Sequence, residues 1–142
     1  MNKIKRGICF LLAIAALISV PVYAENSGTR ASSYFLSYSA YLHPTSSTAF
    51  EVWFSVMALN EMDELGASVI KVQRSSDGSN WYTVRTYTKE MYPQLICRNT
   101  GAHGACVSYT SMEPGFYYRA YVEFYAKNSS GTGYVYYYTA RL

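Results

Sequence analysis

Apolar and polar residues alternate with a period of two through most of the chain beyond residue 33. Successive side chains of an extended strand point to opposite faces, so this pattern predicts half-buried β-strands. The clearest case is Ala49 to Leu59, where Phe50, Val52, Phe54, Val56 and Ala58 share one face and Glu51, Trp53, Ser55 and Met57 share the other. The first set is expected to face the core. Phe116 to Lys127 repeats the pattern over the longest predicted strand, with Phe116, Tyr118, Ala120, Val122, Phe124 and Ala126 inward and Tyr117, Arg119, Tyr121, Glu123, Tyr125 and Lys127 outward. Further strands are predicted over Tyr34 to His43, Ala67 to Ser75, Trp81 to Thr88, Leu95 to Arg98, Ala105 to Thr110 and Tyr134 to Thr139.

Between these runs lie clusters of turn-forming residues: Pro44-Thr45-Ser46-Ser47, Asn60 to Gly66, Ser76-Asp77-Gly78-Ser79-Asn80, Lys89 to Gln94 with Pro93, Asn99 to Gly104, Ser111 to Gly115 and Asn128 to Gly133. Asp and Asn fold back on their own backbone, and Gly takes positive φ without strain. Helical periodicity is nearly absent. Seven or eight strands in about 110 residues predict an all-β fold, two antiparallel sheets packed face to face, with a closed barrel as the alternative.

The N-terminus departs from this pattern. Lys3, Lys5 and Arg6 precede an apolar run from Ile8 to Val20, and Val22-Tyr23-Ala24 offers small residues before a cut ahead of Glu25. That is the layout of a secretory signal peptide, and the run is short of the about 20 residues a membrane span needs. The expected organisation is a signal peptide over 1–24, a flexible leader over 25–33 and a β-sandwich domain over 34–142. Secretion and release to the extracellular medium follow, with no membrane attachment after cleavage.

Removal of the signal also changes the charge. The whole chain carries +3 at pH 7, and the loss of Lys3, Lys5 and Arg6 leaves 9 basic against 9 acidic residues. Nucleic-acid binding needs phosphate-neutralising Lys and Arg gathered on one surface, and the sequence shows only scattered charges. No nucleic-acid partner is expected.

Two cysteines remain, Cys97 and Cys106. Outside the cytosol a pair so spaced predicts a disulfide closing the loop between them, with a chain-entropy contribution on the order of 2.7 kcal/mol. A metal site using Cys97, His103 and Cys106, free thiols, and a Cys106–His103 thiolate pair are the alternatives. The first lacks an obvious fourth ligand, so no metal and no cofactor are expected.

Ile70-Lys71-Val72-Gln73-Arg74-Ser75-Ser76-Asp77-Gly78-Ser79-Asn80-Trp81 resembles the central hairpin of fibronectin type III and related domains. Met112-Glu113-Pro114-Gly115-Phe116-Tyr117-Tyr118 is similar to their corner before the sixth strand, and Asn128-Ser129-Ser130-Gly131 to the turn of their final hairpin. The resemblance implies an antiparallel β-sandwich of about seven strands, immunoglobulin/fibronectin type III-like. It also implies that Tyr118 is a corner tyrosine whose hydroxyl bonds upstream backbone. Arg30-Ala31-Ser32-Ser33-Tyr34-Phe35, Met62-Asp63-Glu64-Leu65-Gly66-Ala67 and Tyr118-Arg119-Ala120 resemble a family of small secreted proteins from clostridia and their relatives. That likeness implies a secreted, Gram-positive setting and brings no activity or site residues with it.

Candidate chemistry is sparse. His43 and His103 sit beside turns, outside any nucleophile elbow, zincin pair or phosphate loop. Glu61, Asp63 and Glu64 place three carboxylates in one predicted loop at a spacing that matches no calcium pattern. No catalytic residues are assigned and the protein is not expected to be an enzyme.

The excess is aromatic: 16 tyrosines, of which only Tyr23 precedes the predicted cut. Tyr117, Tyr121 and Tyr125 fall on the outward face of the long strand, and either Tyr134, Tyr136 and Tyr138 or Val135 and Tyr137 join them from the last. Tyrosine offers a flat apolar ring with a hydroxyl at its rim, suited to stacking on sugars or anchoring a protein. Cross-strand tyrosine pairs also simply stabilise a sheet. The candidate binding residues are Tyr117, Tyr121, Tyr125, Tyr136, Tyr138 and Trp53, for an unknown glycan or protein partner. The expected function is a secreted non-catalytic binding or interaction module. A structural or self-assembling protein is the alternative, and a small secreted hydrolase or a toxin the lesser ones.

Overall fold

The computed structural model describes residues 33–142. The expected signal peptide over 1–24, and all of the expected leader except Ser33, lie outside the described residues. Among the described residues there are six strands: β1 Phe35–Pro44, β2 Phe50–Ser75, β3 Tyr82–Thr88, β4 Ile96–Tyr109, β5 Tyr117–Asn128 and β6 Gly131–Tyr138, with a single 3-10 turn at Pro93–Leu95. All pairings are antiparallel. The fold is the expected all-β antiparallel class, a six-stranded sheet that curls into a half-barrel.

β2 organises the molecule. Along one edge it pairs with β4, from Phe50↔Tyr109 to Gly66↔Ile96, and then with β3, from Val69↔Thr88 to Arg74↔Tyr82. Along the other it pairs with β1, from Pro44↔Phe50 to Phe35↔Ala58, and then with β5, from Glu64↔Lys127 to Ser75↔Tyr117. β6 extends the sheet beyond β5. The first half of β2 thus lies between β1 and β4, and the second half between β3 and the β5–β6 hairpin.

The curl brings these halves together over one core. Phe54 of β2 meets Phe124 of β5 with ring centroids 6.0 Å apart, and Tyr38 of β1 meets Phe124 at 5.4 Å and Tyr137 of β6 at 6.5 Å. Val52, Phe54, Val56, Val122 and Phe124 are buried, as their alternation predicts. Each such apolar side chain taken from water contributes about 1.5–3 kcal/mol. Tyr118 is fully buried against Phe50 and Tyr109, and its hydroxyl accepts the backbone N–H of Glu113 at 2.8 Å.

The strand count is six rather than about seven because two segments read as loops are extended. Asn60 to Gly66 lies within β2, and Asn99 to Gly104 within β4. In the first, Asn60, Glu61 and Asp63 point to solvent while Met62 and Leu65 are buried. The inward residues run Ala58, Met62 and Leu65, four and then three apart, and a register shift against β4 between Met57 and Met62 accompanies this break in the period of two. In the second, Asn99 takes a positive φ of 50°, a conformation Asn tolerates better than most residues. Thr100 steadies the next step, its hydroxyl donating to the Ala102 carbonyl at 2.8 Å.

The same strand overturns the expected disulfide. Cys97 and Cys106 are both free thiols. Nine residues of extended chain span roughly 30 Å, whereas disulfide-linked Cα atoms sit about 4.4–6.8 Å apart. They also face opposite ways, since directly paired residues share a side of the sheet. Cys97 pairs with fully buried Leu65, and Cys106 with exposed Trp53.

Gly66 marks the point where β2 is flanked by Ile96 of β4 and Tyr125 of β5. A Cβ there would overlap the Leu95 carbonyl, so the close approach requires glycine.

Candidate binding surface

The register of β2, β5 and β6 lays the outward side chains into a grid, because paired residues stand side by side on one face. Lys71, Tyr121 and Tyr138 form one row; Val69, Glu123 and Tyr136 the next; Gly66, Tyr125 and Tyr134 a third. Gln73 and Arg119 form a row on the other side of Tyr121, and Tyr117 lies beyond them opposite Ser75. The last strand presents Tyr134, Tyr136 and Tyr138 outward, while Val135 is buried and Tyr137 packs against the core.

The rings contact one another across the strands. Tyr121 lies 5.3 Å from Tyr138 and 5.8 Å from Tyr136, and Tyr125 lies 5.4 Å from Tyr134. Cations pack onto the same rings. The Arg119 guanidinium sits 4.4 Å from Trp81 on one side and 4.4 Å from Tyr138 on the other, with its Nε donating to Gln73 Oε1 at 2.9 Å. Arg141 stacks on Tyr117 at 4.4 Å, Lys89 on Tyr125 at 3.9 Å, and Lys71 stands 5.6 Å from Tyr121. Such contacts favour a cation over an aromatic face, and they restrict each ring to few orientations.

The turn before β3 sets Trp81 in place. The Asp77 carboxylate accepts the backbone N–H groups of Ser79 and Asn80, each at 2.8 Å, and Gly78 takes a φ of 75°. Those bonds favour the charged form and hold the Asp77 carboxyl well below the usual carboxylate range.

The acids of the face are engaged from within the protein. Glu123 accepts the Ser68 hydroxyl at 2.6 Å, and Glu64 accepts the Tyr125 hydroxyl at 3.0 Å while pairing with Arg98 at 3.3 Å. Burial, reinforced by Glu123, pushes the Tyr121 hydroxyl up to about 12. Burial and the bond to Glu64 push Tyr125 up to about 12 as well. Both are therefore neutral hydrogen-bonding groups at any physiological pH.

Of the candidate residues, Tyr117, Tyr121, Tyr136 and Tyr138 share this face, with Tyr138 41% exposed. Tyr125 does not belong among them as a contact residue: it is 4% exposed, its ring covered by Lys89 and its hydroxyl spent on Glu64. Trp53 lies on the outer side of the other half, between Tyr41 and Cys106, with its indole N–H donating to Glu51 at 2.8 Å. Trp81, Arg119, Lys71 and Tyr134, outside the candidate set, complete the face. The signal for Tyr134, 52% exposed, was its alternation with Tyr136 and Tyr138; nothing in the sequence placed Trp81 over Arg119.

Elsewhere the chemistry does not converge. His103 bonds the Gln94 carbonyl through Nε2 at 2.9 Å and packs on Phe54, while Cys106 pairs with outward-facing Trp53, so the two do not form a thiolate pair. Burial, and then Glu51, push the Cys106 thiol up, away from the reactive thiolate. Among the described residues no three His, Cys, Asp or Glu gather as a metal site requires. A cavity of about 430 Å³ between β3 and β4 is lined, among the described residues, by Arg85, Tyr87, Tyr92, Gln94, Cys106 and Ser108, with neither carboxylate nor histidine among them. A scan against protein-family models finds no match for this chain, and a search of curated proteins finds none either.

Proposed function

We propose that the domain is a secreted, non-catalytic binding module that holds a glycan on the tyrosine face of β2, β5 and β6. One observation carries the reading: the rings of Tyr117, Tyr121, Tyr136 and Tyr138 are grouped on one sheet face and held there by neighbouring rings and cations. A sugar ring presents a flat C–H face and a rim of hydroxyls. Tyrosine rings take the first, and Gln73, Lys71, Arg119 and the tyrosine hydroxyls lie within the same grid to take the second. Rings already fixed by packing lose little further freedom on binding, which is the advantage of a preorganised surface. A protein anchor favours a desolvated central pocket around a few hot-spot side chains. This face sets polar groups among its rings, which favours the sugar.

The test is retention of the protein in gels cast with a panel of soluble polysaccharides. Tyr138→Ala and Tyr121→Ala are expected to weaken binding at least about tenfold, or 1.4 kcal/mol. Tyr41→Ala, on the outer side of the other half, serves as the control and leaves retention unchanged. Absence of retention by every polysaccharide, or equal binding by Tyr138→Ala at unchanged melting temperature, would refute the proposal.

A further inference from the structure

β4 leaves one edge open. Thr48, just ahead of β2, turns its carbonyl toward β4 and accepts the Met112 N–H at 2.9 Å, while Ala49 accepts the Thr45 N–H at 3.0 Å on the β1 side. Peptide groups alternate in direction along extended chain, so Phe50 and Val52 bond toward β4, and their partners Tyr109 and Val107 bond back. Cys106, Ser108 and Thr110 therefore turn their backbone N–H and C=O groups away from β2. The Ser108 carbonyl bears the same parity out, since it accepts the Tyr87 hydroxyl of β3 at 2.7 Å. Among the described residues no further strand pairs with this edge. Residues of both parities from Cys106 to Ser111 line the cavity of about 430 Å³ between β3 and β4, so the cavity runs along the edge of the strand rather than over one of its faces.

Exposed edges in native sheets are blunted by lysine, proline, a bulge or short length. Ala105 to Ser111 holds neither charge nor proline, and its register with β2 is regular from Phe50↔Tyr109 to Met57↔Ala102. Nothing on this stretch discourages pairing. The cavity also carries a charge. Arg85, on the same inward side of β3 as Tyr87, donates through Nη2 to the Tyr92 hydroxyl at 3.2 Å and packs over the Tyr87 ring at 5.5 Å. It makes no ion pair among the described residues. Glu113, whose charge reaches the Tyr109 hydroxyl, is matched by Arg74 at 2.7 Å.

We propose that the free edge of β4, from Cys106 to Thr110, takes an added strand, an extended peptide of a partner protein with an acidic side chain set against Arg85. The backbone of the peptide bonds the outward N–H and C=O groups, and the Ser108 carbonyl keeps a second lone pair beyond the one given to Tyr87. Such main-chain bonds supply affinity in strand addition, and alternate side chains supply specificity. The inward-facing side chains of the peptide enter the cavity, where one carboxylate completes the Arg85 fork. A second copy of this chain fits less well. Between Ala105 and Ser111 β4 offers no acid, so pairing this edge with its own twin leaves Arg85 without a counter-charge. The site shares no residue with the tyrosine face, and neither reading depends on the other.

The experiment is fluorescence anisotropy of the whole protein with a short labelled peptide of alternating valine and threonine carrying one central glutamate, beside its glutamine twin. The glutamate peptide is expected to bind at least about tenfold more tightly than the twin, and Arg85→Gln should remove that preference. N-methylation of alternate peptide residues should abolish binding in one parity and spare it in the other, because only one set of N–H groups faces β4. Ser108→Pro, which deletes an edge donor but no bond to β2, should abolish binding as well. The N-methyl series uses the unaltered protein and so decides the matter even if the proline variant fails to fold. Failure of both peptides to bind, equal loss in the two N-methyl parities, or undiminished binding by folded Ser108→Pro would overturn the added strand. A preference for glutamate that survives Arg85→Gln would overturn the role of the cation. Sedimentation showing a dimer that Ser108→Pro dissolves would give the edge to a second copy and overturn the acidic partner.

Discussion

Removing one oxygen atom tests whether the chain turn into β5 is held as described. Tyr118 is fully buried, and its hydroxyl is the acceptor for the Glu113 backbone N–H at 2.8 Å. Tyr118→Phe keeps the ring among Phe50 and Tyr109 and leaves that N–H without its partner. A part-buried donor stripped of its acceptor costs about 1–2 kcal/mol. Tyr118→Ala removes the ring as well and is expected to cost about 3–5 kcal/mol. For a domain of this size each kcal/mol corresponds to roughly 4 °C, so the Phe variant should melt about 4–8 °C below the parent and the Ala variant about 12–20 °C below. The Arg74–Glu113 ion pair at 2.7 Å touches the same corner, so a control is needed. Glu113→Gln removes its charge but spares the backbone bond, and an exposed pair contributes at most about 1 kcal/mol. Thermal melts followed by circular dichroism, checked by urea titration, read all three. A Phe variant melting within about 1 °C of the parent, or a Gln variant falling as far as Phe, would refute the argument.

Two further outcomes follow from groups already described. Tyr121 and Tyr125 have hydroxyls raised from 10.0 to about 12, chiefly by burial. A raised folded value means that their contribution to stability is complete below pH 10 and is lost as pH climbs from there toward about 12. Ultraviolet difference titration should show these two ionising after the exposed tyrosines, and melting temperature should decline across that window; a flat profile there would contradict it. Cys97 and Cys106 should both take up iodoacetamide in unreduced, denatured protein, as read by peptide mass mapping. Recovery of the two peptides joined would restore the disulfide and require β4 to bend.

Where burial alternates without interruption the sequence was sufficient. Phe50 to Ala58 and Tyr118 to Phe124 read as strands because every second residue is apolar, and those apolar residues lie in the core as expected. The tyrosine face followed from the same parity, since inward Val122 and Phe124 force Tyr121 and Glu123 outward. The two segments read as loops share one cause. Asn60, Glu61 and Asp63, and likewise Asn99, Gly101 and Gly104, have the composition of turns, yet a strand can carry polar residues on its solvent side and absorb an irregularity in register. Misreading Asn99 to Gly104 as a loop tip then made Cys97 and Cys106 look adjacent. Tyr125 was lost from the candidate set for a different reason: Lys89, thirty-six positions earlier, lies over its ring, and no local pattern reveals such a contact.

The continuity of β2 bears on how the molecule comes apart. Neither half owns a complete set of neighbours, since one borrows the beginning of β2 and the other its end. β3 closes on β2 through a short turn, but β4 and β5 must return from farther off, up to the 63 positions that separate Glu64 from its partner Lys127. Assembly of this kind is slow, because distant segments must meet before their contacts reward them. Loss of either half strips one side of the shared interior, so both halves are bound to melt as a single cooperative unit.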